Sequence, residues 1–146
     1  MSLKSTYIAL LEQVLVHLKN AKLAYLRAAD IANQTEDKRY YNQQALLRNR
    51  FFQTILSQLQ RENITLDDLV IRNYNFDQLL ISSLHKLKAS AIEKCLEADT
   101  HLQELYEKIV ALPVEQDPFV GQLDTIQDAI DHSQSLLPTY QLTQKN

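Results

Sequence analysis

Ala91-Ile-Glu-Lys-Cys95-Leu-Glu-Ala-Asp99-Thr-His-Leu-Gln-Glu-Leu-Tyr106-Glu-Lys-Ile109-Val-Ala111 is the stretch whose reading decides the fold. Ile92, Cys95, Asp99, Leu102, Tyr106 and Ile109 recur at alternating steps of three and four, which puts all six on one stripe of a helix. Five of them suit a core, and the sixth is a carboxylate. A carboxylate in a buried stripe is costly unless something pairs with it. Either a metal ion or a basic side chain answers Asp99, or Asp99 sits at the edge of the stripe in water.

Working outward, Leu3 to Ala32 carries the same pattern in Ile8, Leu11, Leu15, Leu18, Lys22, Tyr25, Ala29 and Ala32. Lys22 is the odd member. Ala21 can take the inward place beside it while Lys22 leans out along its stem. The polar run 33–37 breaks the pattern, with Thr35 as the expected N-cap of a second helix over about 36–62. That helix shows Tyr41, Ala45, Arg48, Phe52, Ile55 and Leu59 in register, so Arg48 is a second charge in mid-stripe. The short first connection requires the two helices to be antiparallel neighbours.

Residues 63–75 form the longest irregular segment, with a capped turn expected at Thr65–Asp68 and a cap at Asn75. The apolar phase of Phe76 to Leu87 does not run cleanly into the Ile92 stripe. A third helix over about 76–112 is therefore expected to bend or break near 86–90, and to stop before Pro113. Asp117-Pro118 is a helix start, and Phe119, Leu123, Ile126, Ile130, Ser133 and Leu137 give a fourth stripe that Pro138 should end. The reading is all-α: one domain over 1–138, an antiparallel four-helix bundle with a long crossover between helices 2 and 3, and a flexible tail over 139–146.

One glycine and three prolines in 146 residues agree with long helices and few turns. Charges of both signs are mixed without a basic block, which speaks against a nucleic-acid partner. No apolar run approaches the ~20 residues that span a bilayer. The N-terminus lacks the pattern of a signal peptide, and the single cysteine cannot form an internal disulfide. A reducing, cytoplasmic location without a membrane partner is the expectation.

A di-metal centre in a helical bundle needs two inward Glu and two Glu-x-x-His pairs. This chain has no Glu-x-x-His; its nearest substitutes are Glu97 with His101 and Asp128 with His132. If a metal is held, Asp99, Glu97, Asp128 and His132 are the candidate ligands. The competing reading is a buried polar cluster of Arg48 and Asp99 assisted by Lys22, Tyr25 and Tyr106. The planar fork of an arginine can grip a carboxylate at two points. His17, His85 and His101 read as surface histidines, His132 as half-buried and hydrogen-bonded, and Cys95 as a small buried hydrophobe.

Three segments carry a resemblance: Asn20-Ala-Lys-Leu-Ala-Tyr25-Leu-Arg-Ala-Ala-Asp30, Arg48-Asn-Arg-Phe51, and Cys95-Leu-Glu-Ala-Asp99-Thr-His-Leu-Gln-Glu-Leu-Tyr106. Together they resemble a bacterial group of ferritin-like four-helix domains of unknown function. The resemblance implies a ferritin-like fold, a link to stress physiology, and Asp99 and His132 as remnants of an iron site. Leu23 on the first helix and Leu46 or Leu47 on the second stand where that site would place inward acids. The expected role is a non-catalytic binding or structural protein, with a protein partner or a second copy of itself and no cofactor. The alternatives are an iron- or manganese-binding oxidase or store, and a helical interaction module.

Overall fold

A computed structural model describes residues 2–64 and 84–144, with side-chain surroundings over 2–64 and 90–138. Four helices pack against one another: α1 (Leu3–Ile31), α2 (Thr35–Arg61), α3 (Leu84–Val110) and α4 (Phe119–Gln144). There is no strand among the described residues. No helix among them is long and apolar enough to cross a membrane.

The helix ends follow from local chemistry. Ser2 caps α1 by accepting the Ser5 N–H on its Oγ at 3.1 Å. The second helix starts one residue before the expected boundary. Gln34 sits at its cap without a side-chain bond, so Thr35 is helical and not the cap. At the far end, Asn63 adopts φ 63°, a conformation asparagine tolerates better than most residues. Around it, the Ile64 N–H reaches Leu59 O and the Asn63 N–H reaches Gln60 O, both at 3.0 Å. This is a Schellman closure, and Ile64 seals it by packing on the core.

α3 is one helix from Leu84, so the break allowed for over 86–90 does not occur. α4 runs through Pro138 to Gln144 instead of stopping there, so the tail expected from 139 is helical over 139–144. Proline removes one donor and crowds one carbonyl, a distortion that a long helix can absorb near its end. The turn at Thr65–Asp68, the cap at Asn75 and the piece from Phe76 lie outside the described residues.

α1 packs along both α2 and α3, and α3 along α4. All six stripe residues of α3 are buried. The core has two parts. One is bulky and includes Leu11, Leu15, Ile55, Leu59, Leu102 and Ile109. The other is built of small residues, Ala24, Ala28, Ala45, Ala91 and Ala129, around Tyr25, Tyr41 and Cys95. Along α1 the bulky part comes first and the alanine part second, whereas along α2 and α3 the order is reversed. Tyr7 and Tyr106 both meet the Phe119 ring, at 6.1 and 6.4 Å, and tie α4 into the bulky part. Arg48 and Asp99 fall at the boundary between the two parts on their own helices.

Candidate functional site

That boundary holds a two-point ion pair. Arg48 donates from Nε to Asp99 Oδ1 at 3.1 Å and from Nη2 to Oδ2 at 2.9 Å, and neither side chain has any solvent exposure. The Tyr25 hydroxyl donates to the same Oδ2 at 2.5 Å. The Tyr25 ring also lies 4.9 Å beneath the guanidinium carbon, adding a cation–π contact. The remaining Arg48 nitrogen, Nη1, donates to Gln44 Oε1 at 2.9 Å and to Gln44 O at 3.4 Å. Three helices thus meet at one carboxylate: α1 through Tyr25, α2 through Arg48 and α3 through Asp99.

The electrostatics are those of a sealed pair. Burial pushes the Asp99 carboxyl above its ordinary range, against the opposing pull of Arg48 and of the Tyr25 hydroxyl. Burial works against the Arg48 charge, but Asp99, Tyr25 and Tyr40 together hold the guanidinium above its ordinary value. Burial first and Asp99 second drive the Tyr25 phenol well up, so it keeps the proton that it donates to Asp99. Cys95 is buried nearby, and the same two causes raise its thiol well above the ordinary value. It is therefore inert, not nucleophilic.

Two expected members of the cluster are elsewhere. Lys22 donates to Asn49 Oδ1 at 3.1 Å. Both residues line a groove of about 250 Å³ between α1 and α2, together with Leu18, Lys19, Arg48, Phe52 and Gln53. Lys22 is half-buried despite its place in the stripe, and Ala21 beside it is fully buried. The Tyr106 hydroxyl donates to Gln122 Oε1 on α4.

The candidate metal ligands are not gathered. Glu97 and Asp128 are exposed, while Asp99 is held by Arg48 and Tyr25. His132 is half-buried and stacks on Tyr40 at 4.1 Å. Its Nδ1 is buried with no hydrogen-bond partner. Tyr40 is half-buried, its ring against those of His132 and Tyr41. Among the described residues no three His, Cys, Asp or Glu side chains converge on one point. Leu23 and Leu46 are exposed, so they are not the inward positions that the resemblance assigned to acids. The inward residues at this level are Ala21, Ala24 and Tyr25 on α1, and Ala45 and Arg48 on α2. A guanidinium, itself cationic, fills the place beside the only buried carboxylate among the described residues. These side chains do not fit a di-metal centre.

His17 and His101, both read as surface residues, stack on each other across α1 and α3 at 5.1 Å. Burial, then His101, holds His17 below its ordinary value. Gln44 had a sequence signal, a polar side chain four residues before a mid-stripe arginine. Gln122 had none, since its partner lies on another helix.

The chain has no match among known protein families, curated proteins or solved structures.

Proposed function

We propose that this protein is a non-catalytic, ferritin-like antiparallel bundle in which the Arg48–Asp99 pair occupies the level where related bundles hold two metal ions. The observation that carries this reading is the fully buried, two-point pair completed by Tyr25. Supporting the topology, α1 meets the bulky and alanine parts of the core in the opposite order to α2 and α3. That order corresponds to an up-down-down-up path, which needs one long crossover, and residues 62–83 between α2 and α3 supply its length. The role is then structural or binding, within stress physiology as the resemblance implies.

The test is elemental analysis of protein purified without added metal, followed by Fe(II) oxidation monitored optically. The expected result is neither stoichiometric iron or manganese nor accelerated oxidation. A stoichiometric metal that is lost on Asp99→Ala supports the oxidase or store instead. An interaction module is a second reading, favoured by exposed Leu23 and Leu26 on α1 and Leu46 on α2. Light scattering across concentration tests it for self-association.

A further inference from the structure

His17 and His101 come from helices that pack side by side, and their rings stand 5.1 Å apart between centroids with 29° between planes. A neutral imidazole carries one ring nitrogen whose lone pair can bind a metal ion, so each ring can supply one ligand atom. With metal–nitrogen bonds of about 2.0–2.1 Å and a tetrahedral angle, two imidazole centroids on one ion lie about 5 Å apart. The observed spacing of 5.1 Å matches the separation that a shared ion would require.

A second observation points the same way. One turn after His17, on the same face of α1, Asn20 is buried and its Oδ1 has no hydrogen-bond partner. A buried carbonyl oxygen left open costs free energy, and a cation or its bound water is a partner for it. On α3, Glu97 and Glu104 lie a turn to either side of His101 and are both exposed, which makes the local potential attractive to cations.

We propose that His17 and His101 clasp one divalent transition-metal ion of the zinc, copper or nickel class at the seam between α1 and α3, with Asn20 Oδ1 and water completing its shell. Imidazole suits these metals, whereas calcium and magnesium prefer all-oxygen shells. No third His, Cys, Asp or Glu side chain converges there among the described residues, so the site is an open clasp and not a closed cage. It shares no residue with the Arg48–Asp99 pair and stands or falls separately from the reading of that pair. An ion held here staples α1 to α3.

The experiment titrates the metal-free full chain with Ni(II) alone in a calorimeter at neutral pH, beside His17→Gln, His101→Gln and His132→Gln. Wild type and His132→Gln should bind one equivalent. Losing a ligand costs at least as much as losing one of its supporting partners, so His17→Gln and His101→Gln should each weaken binding by about tenfold or more. Zn(II) followed by NMR gives a reading that needs no variant to fold. At one equivalent the ring signals of His17 and His101 should shift together while His132 stays in place. Affinity that survives either glutamine substitution at 17 or 101, absence of binding, or unmoved His17 and His101 signals overturns the proposal.

Discussion

Arg48→Met is the perturbation with the sharpest consequence. It deletes the bonds at 3.1 and 2.9 Å and leaves a carboxylate with no exposure and only the Tyr25 hydroxyl to answer it. Breaking one side of a buried pair costs about 3–5 kcal/mol, because a charge is stranded in a poorly polarisable interior. Protonation is the escape. The Asp99 carboxyl, already raised by burial, loses the guanidinium that pulled it down. A carboxyl whose pKa is higher in the fold than in the unfolded chain favours the fold at low pH, and that benefit is lost as pH rises through the folded value. The penalty of Arg48→Met should therefore be greatest at neutral pH and shrink on acidification toward about pH 4. The triple variant Tyr25→Phe, Arg48→Met, Asp99→Leu strands nothing. Such replacements run from neutral to about 1–4 kcal/mol stabilising. In urea unfolding followed by circular dichroism, a slope of about 2 kcal/mol per molar turns the single-variant loss into a midpoint shift of about 2 M. The triple variant should return to the wild-type midpoint or exceed it. Equal midpoints for the single and triple variants would refute the reasoning.

Three more outcomes follow from other parts of the molecule. Burial raises the phenols of Tyr7, Tyr25 and Tyr106, and holds Tyr40 at about 12. Groups that keep their proton longer in the fold cost stability as pH climbs past about 10, so tyrosinate absorbance for these four should rise only together with loss of helix. Burial lowers His132 against a weaker opposing effect of Asp37. A depressed histidine makes the fold lose stability as pH falls through about 6.5. His132→Phe, which keeps an aromatic ring against Tyr40, should flatten that part of the pH–stability curve. A Cβ added at Gly121 meets nothing within 4 Å. Gly121→Ala should therefore raise stability by about 0.5–1 kcal/mol in the same urea assay.

The helices and the central pair were readable because their signals are local. A three-four repeat fixes one face of α3, and every residue it selects is buried. Two opposite charges in mid-stripe, one each on α2 and α3, pointed to each other because each is intolerable alone. What escaped the reading depends on relations between helices. The pairing of Lys22 with Asn49, of Tyr106 with Gln122 and of His17 with His101 is set by how far one helix slides along another. No single-helix pattern encodes that offset. Leu23 and Leu46 misled for a different reason: the resemblance, not the periodicity, set them at inward positions, yet both are exposed. Pro138 was read as a full stop, although near a helix end it is a local cost that the chain can run through.

The carboxylate at residue 99 is gripped from residues 25 and 48, which lie in the first half of the chain. A polypeptide leaving the ribosome completes its first two helices before Asp99 has been made. If that hairpin closed over Arg48 early, it would enclose a solitary cation, so it gains by waiting. The pair can therefore close only once α3 is present, and fragments ending before α3 should be unable to settle into the hairpin that they contain.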